Sequence, residues 1–222
     1  MSENCDSKSS KNRNSNENKC FGSVPNSGKT DVKYDVAICG VGGQGAILAS
    51  DILGRAAVAE GRAVQAAETH GMAQRGGSVE NHVRIGSAYG SLISKRGADL
   101  MIALEPAEAV RYAHLVKDGG VIIVNTEPVY PFTVTTGKAE YPDVDLMLAA
   151  LSESFDVRAF NASDIAKSAG NRQAANVVMI GAASHFIPLQ EQTFIDCIKA
   201  LVPPKFLDVN LKAFELGKKS VQ

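Results

Sequence analysis

A chain of 222 residues, 45% apolar and with a formal charge of −1, has room for one domain with a sizeable core. Its near-balanced charge offers no basic surface for nucleic acid, and no apolar run approaches the roughly 18 residues that a membrane helix needs. The N-terminus has no apolar core of the signal-peptide kind, so the expected location is the cytoplasm.

Residues 1–33 begin "MSENCDSKSSKNRNSNENKC" and are nearly all Ser, Asn, Lys and Glu. Such a segment cannot bury enough apolar surface to offset its ordering entropy, so a disordered tail is expected, with the folded domain over residues 34–222. "YDVAIC" (34–39) reads as a short buried strand. A helix follows over 46–60, with Asp51 and Arg55 one turn apart on its polar side and Leu48, Ile52 and Leu53 facing a core. "RAVQAA" (62–67) is a second strand. The next stretch, "ETHGMAQRGGSV" (68–79), follows neither a helical nor a strand period and reads as a polar, glycine-hinged loop.

Ser78–Ile85 alternates strictly, Val79, Val83 and Ile85 against Glu80, His82 and Arg84, as a half-exposed antiparallel strand does. "DLMIAL" (99–104) and "GVIIVN" (120–125) are buried strands separated by a helix that opens at Pro106. After "FTVTT" (132–136), a helix over Val144–Ser152 leads to the strand "DVRAF" (156–160). The remainder is helical over 174–186, 191–201 and 207–216. Alternating elements of this kind predict an α/β three-layer sandwich, with a Rossmann-like, mostly parallel sheet and an antiparallel addition.

Between the first strand and helix lies "GVGGQG", Gly40, Gly42, Gly43, Gln44 and Gly45 with Val41. It satisfies G-x-G-x-x-G in the strand-to-helix context of a dinucleotide site. In that chemistry Gly40 makes the tight turn, Gly42 admits a phosphate to the backbone and Gly45 lets helix and strand approach. Free N–H groups at the helix start favour an anion, and Glu68, ending the second strand, stands where an acid would bind a ribose hydroxyl. The same glycines also serve a close turn without any cofactor, and no hydride-transfer pair of the Tyr-x-x-x-Lys type accompanies them. Of the four cysteines, Cys5 and Cys20 lie in the tail. Cys39 and Cys197 read as buried thiols, and no CxxC pair points to a metal.

Three stretches together, "GVGGQG", "HGMAQRGGSV" and "AGNRQAANVVMIGA" (169–182), resemble the gamma-type subunits of 2-oxoacid:ferredoxin oxidoreductases. Within them the similarity is to the branch of beta subunits of indolepyruvate ferredoxin oxidoreductases, which "NLKAFELG" (210–217) also resembles. The resemblance covers residues 34–217. It implies a subunit of an enzyme that decarboxylates an arylpyruvate oxidatively to an arylacetyl-CoA, with electrons leaving to ferredoxin. It also implies that thiamine diphosphate and [4Fe-4S] clusters sit on a companion alpha subunit, with coenzyme A as co-substrate. In agreement, the chain has neither a G-D-G motif nor a C-x₂-C-x₂-C run, so no cofactor is expected on this chain alone and no activity without the partner.

What remains for this chain is to complete the shared site. Arg75 offers a fork of donors to a carboxylate or phosphate, Gln74 donates or accepts, and His70 titrates near neutrality. Gly71, Gly76 and Gly77 let the backbone take positive φ and approach another surface. The expected place of Glu68–Ser78 is the interface with the alpha subunit, beside its thiamine pocket. A structural pairing of Arg75 with Glu68 or a partner carboxylate, and a structural hydrogen bond for His70, stay open. In "GNRQAAN" (170–176), Asn171 with Arg172 starts a helix and Asn176 lies inside an apolar one. Capping or a site wall are both open readings. The alternatives to the whole are a gamma subunit for pyruvate, 2-oxoglutarate or a branched-chain acid, a free-standing NAD(P)- or FAD-binding protein, and a regulatory ligand-binding module.

Overall fold

A computed structural model describes residues 32–69, 76–86 and 90–221. Runs of Val, Ile, Leu and Ala give a six-stranded sheet in the order β2-β3-β1-β4-β5-β6. The strands are β1 (Tyr34–Val41), β2 (Val64–Thr69), β3 (Ser78–Ile85), β4 (Ala98–Ala103), β5 (Val116–Asn125) and β6 (Asp156–Phe160). β1, β4, β5 and β6 pair in parallel, and β3 runs against both of its neighbours, β1 and β2.

Both faces of the central strands are apolar, so each needs a covering layer. Val36, Ile38, Leu100, Ile102 and Ile123 point to one side. There they meet α1 (Ala46–Ala59), α5 (Ala162–Ala169), α6 (Ala175–Ala183), α7 (Glu191–Leu201) and α8 (Leu207–Lys219). Cys39, Met101, Ala103, Ile122 and Val124 point to the other. That side is covered by α2 (Pro106–Tyr112) and α4 (Val144–Ser152). This is the three-layer α/β sandwich that the alternation predicts, with β3 as the antiparallel addition.

Several expectations need correcting. The strand over Ser78–Ile85 is not half-exposed: segment 90–97 lies over its polar face. Nδ1 of His82 accepts the Ile93 N–H at 2.8 Å, and Arg84 donates to the carbonyls of Gly90 and Leu92. His82 is accordingly 3% exposed, and its other nitrogen lies 2.5 Å from Glu80. Polar residues on an alternating strand thus face a loop whose backbone groups they satisfy, which periodicity cannot tell from water. Residues 162–169 form a helix that the sequence reading omitted, although Asn161 caps it by accepting the Asp164 N–H at 3.0 Å. The helix expected over 174–186 begins as a 3₁₀ turn at Arg172 and ends at Ala183. "FTVTT" contains one short helix, α3 (Phe132–Thr135). The tail segment 1–31 lies outside the described residues.

The closest helix contact joins α6 to α8. A Cβ on Gly181 would press into the backbone of Phe214, and one on Gly217 into the backbone of Val178. Neither obstacle is a flexible side-chain end, so the helices must separate to admit a methyl group. Either Gly181→Ala or Gly217→Ala is expected to cost about 3 kcal/mol in urea denaturation. Gly61→Ala, whose added Cβ meets nothing within 4 Å, is expected to cost less, through its φ of +75° alone.

Candidate functional site

The glycine turn lies at the carboxyl end of β1, beside the point where the chain switches direction across the sheet. A ligand crevice would open between β1 and β4 at such a point. Here Gln44 spans it. Its Oε1 accepts the Val41 N–H at 2.7 Å, and its Nε2 donates to the Leu104 carbonyl at 2.9 Å. Asn125, at the end of β5, donates to the same carbonyl at 3.1 Å, and its Oδ1 accepts the Ala162 N–H at 3.0 Å. Gly40 must lack a side chain because a Cβ there would lie 2.8 Å from Gln44 Oε1 and 2.9 Å from Leu104 Cβ.

Gly45 ends the turn at φ 82°, with no side-chain cap on α1. Asn176, 4% exposed, donates to the Gly45 carbonyl at 3.2 Å, and a Cβ on Gly45 would lie 2.5 Å from its amide nitrogen. Asn176 therefore ties the start of α6 to the start of α1. Asn171 does not reach the turn. It caps the 3₁₀ turn by accepting the Gln173 N–H at 2.9 Å, while Arg172 pairs with Glu127.

The loop's second arm joins the same turn. Beyond the last ladder pair, Val41 with Ser78, the Gly42 N–H donates to the Gly77 carbonyl at 2.8 Å. The Gly76 N–H donates back to the Gly42 carbonyl at 3.3 Å. Two residues thus oppose one, and Gly76 sits at φ 79°, the arrangement of a G1 β-bulge, which requires left-handed backbone at its first residue. Gly42 spends its N–H on the loop rather than leaving it open to a phosphate.

Glu68 stands apart from this turn. A dinucleotide fold pairs its second strand with its first. Here β3 lies between β1 and β2, and Glu68 is in register with Asn81, which is in register with Ile38. That places Glu68 two strand spacings from β1, about 10 Å. His70, Gly71, Gln74 and Arg75 lie outside the described residues.

Residues that sequence reasoning passed over build the floor beneath the turn. Glu105 caps α2 by accepting the Glu108 N–H at 2.9 Å. It also accepts the Val129 N–H at 3.3 Å and the Tyr141 hydroxyl. Glu108 accepts the Ser78 hydroxyl and takes the Arg111 guanidinium at 3.2 Å. The signal was present in "EPAE": an acid, Pro at the first helical position, and a second acid three residues after the first. Both carboxylates are buried, at 1% and 6% exposure. Burial pushes the neighbouring Cys39 thiol up, and Glu108, Glu105 and Glu80 push it further, so Cys39 stays a protonated thiol rather than a nucleophile. Among the described residues no group of three or more His, Cys, Asp or Glu could hold a metal ion. Nor is any helix among them long and apolar enough to cross a membrane.

Burial, and then the hydrogen bond and charge of Glu105, raise the Tyr141 phenol above its usual 10.0. A group with a higher pKa folded than unfolded stabilises fully below its unfolded value and loses that contribution as pH rises through its folded one. Urea midpoints are therefore expected to fall as pH climbs above about 10, and Tyr141→Phe to remove part of that fall. Tyr34, raised by burial and by Asp99, supplies another part.

The fold and the sequence over most of the chain have relatives among known proteins. The sequence pattern of the pyruvate ferredoxin/flavodoxin oxidoreductase family matches residues 35–220. The indolepyruvate oxidoreductase subunit IorB of Thermococcus kodakarensis is 43% identical over 195 residues, 86% of this chain and 96% of the relative. Its counterpart from Archaeoglobus fulgidus is 44% identical over 189 residues, 84% of this chain and 94% of that one. Among solved structures, the gamma subunit of a keto/oxoacid ferredoxin oxidoreductase from Geobacter sulfurreducens superposes with a TM-score of 0.63 at 26% identity. That match covers 85% of this chain and 98% of the other. The chain belongs to the pyruvate ferredoxin/flavodoxin oxidoreductase family, as one of its small gamma-type subunits.

Proposed function

We propose that this chain is the subunit that completes the active site of an indolepyruvate:ferredoxin oxidoreductase. The reaction converts an arylpyruvate, coenzyme A and two oxidised ferredoxins to an arylacetyl-CoA, CO₂, a proton and two reduced ferredoxins. The observation that carries the reading is identity above 40% to indolepyruvate oxidoreductase subunits across nearly their whole length. Thiamine diphosphate and [4Fe-4S] clusters belong to the alpha subunit, where they supply the decarboxylation and the electron path. A cytoplasmic, reducing location suits the free thiols of Cys39 and Cys197.

This chain's own contribution is positioning and exclusion of water. Arg75 pairs with the substrate carboxylate or a coenzyme A phosphate, Gln74 adds a hydrogen bond, and His70 holds a proton at the pocket edge. Two features support an interface role for the segment ending at Gly77: its stem is hydrogen-bonded to the glycine turn, and exposed Val129, Tyr130 and Phe132 lie on the strap between β5 and α4 (126–143), which Glu105 holds at Val129 and Tyr141. Exposed apolar side chains of this kind are what a subunit presents to its partner.

Co-purification from the native cell is expected to bring a large thiamine- and iron–sulfur-containing chain, and the complex, assayed without oxygen, to prefer indolepyruvate. Preference for pyruvate, 2-oxoglutarate or a branched-chain acid would reassign the substrate. Tight binding of NAD(H), NADP(H) or FAD by the isolated chain would overturn the reading. Arg75→Ala is expected to leave assembly intact and to lower kcat/KM on the order of 100-fold, as removing a charged partner from a buried carboxylate does.

A further inference from the structure

We propose that the open edge of the sheet at β6 pairs two copies of this chain, antiparallel and across a two-fold axis at Val157. This edge lies three strand spacings from β1, about 14 Å, so its pairing is independent of the glycine turn and of the function proposed above.

β6 ends the sheet and is bonded on one side only, to β5. The Phe160 carbonyl accepts the Thr126 N–H at 3.0 Å, so the main-chain groups of Phe160 face β5, and by the alternation of a strand so do those of Arg158 and Asp156. The N–H and C=O of Val157 and of Ala159 therefore point away from the sheet, and no described residue bonds to them. Beside them lies a groove of about 300 Å³, floored by residues 157–160 and walled by Ser220 and Val221, which follow α8. Two usual guards of such an edge are missing from β6: it has no proline, and its register with β5 runs without a bulge. Its charged residues, Asp156 and Arg158, are of opposite sign and paired with each other at 2.9 and 3.1 Å.

Those two charges choose the occupant. In an antiparallel pair the residues that exchange main-chain bonds stand opposite each other, so Val157 and Ala159 must meet Val157 or Ala159 of the second copy. With Val157 opposite Ala159, the two Arg158 side chains face each other, and like charges directly opposite destabilise a strand pair. With Ala159 opposite Ala159, Arg158 meets Phe160. With Val157 opposite Val157, Asp156 stands opposite Arg158 in both directions. Four charges then alternate in sign on one face, and each guanidinium has donors enough for the second copy's carboxylate as well as its own. On the other face the two Val157 side chains join, each already packed against the apolar cluster under α4. One short strand is thus complementary to itself in a single register.

The test is sedimentation equilibrium on the full chain at roughly 100 µM, since small interfaces associate weakly. The chain is expected to approach twice its monomer mass. Arg158→Asp sets acids against acids and Asp156→Arg sets guanidiniums against guanidiniums, so each variant alone is expected to stay monomeric. An equimolar mixture of the two is expected to recover the dimer mass, because their charges match across the axis. Val157→Pro removes an outward N–H without touching a bond to β5, and is expected to be monomeric with an unchanged circular dichroism spectrum. Should that spectrum change, the mixture of charge variants decides alone. A monomeric unmodified chain, a dimer that survives a folded Val157→Pro, or a mixture that stays monomeric would overturn the proposal. Amide exchange at Val157 and Ala159 identifies other occupants. Protection in a monomer would give the edge to a segment of the same chain, and protection only with the alpha subunit present would give it to that subunit; either result overturns pairing between copies.

Discussion

The carbonyl oxygen of Leu104 accepts two side-chain amides at once, from Gln44 at the end of β1 and from Asn125 at the end of β5, while the N–H of Leu104 donates to the Cys39 carbonyl at 2.8 Å. Both lone pairs of that carbonyl are thereby used, and the carboxyl ends of three parallel strands are fixed to one atom. Gln44 bridges the carboxyl ends of β1 and β4 at the place where an open α/β sheet ordinarily admits a ligand. Gly40 follows from this closure, since only glycine leaves room for Gln44 above it. A sequence that reads as a nucleotide cradle can thus be a self-satisfied joint. The residue in the fourth position after the first glycine, Gln44, is what separates the two.

From that joint the rest of the site can be ordered. α2 begins two residues beyond Leu104, capped by Glu105, and the two carboxylates of its start hold different segments. Glu105 holds the strap bearing Val129 and Tyr141, and Glu108 holds the start of β3 through Ser78. The strap and the loop stem therefore take their positions from one short helix, which in turn rests on β4. The proposed site-completing role gives this arrangement a purpose: a rigid mount presents a fixed surface to a partner better than an open cleft does.

Much of the fold was legible from periodicity, because β1, β4 and β5 are apolar on both faces and α7 and α8 carry ordinary amphipathic patterns. α5 was missed because only four of its eight residues are buried and its apolar content is mostly alanine. The polar face of β3 was misjudged because His82 and Arg84 bond to a loop brought there from later in the chain, a tertiary event with no local trace. The site divides in the same way. The glycines were visible, but their use was not, since the partners of Gly45 and Gly42 come from residues 131 positions away and from the bulge. Glu105 and Glu108 announced a helix start plainly enough; nothing in their spacing announced Ser78 or Tyr141.

The insertion of β3 beside β1 has a consequence for what this scaffold can carry. Thr69 is tied to Glu80 by the ladder, and Gly76 and Gly77 are tied to Gly42, in each case through main-chain atoms. Those anchors ask nothing of side chains except that position 76 tolerate left-handed backbone. The two ends of this connection are thus held by the sheet's own backbone.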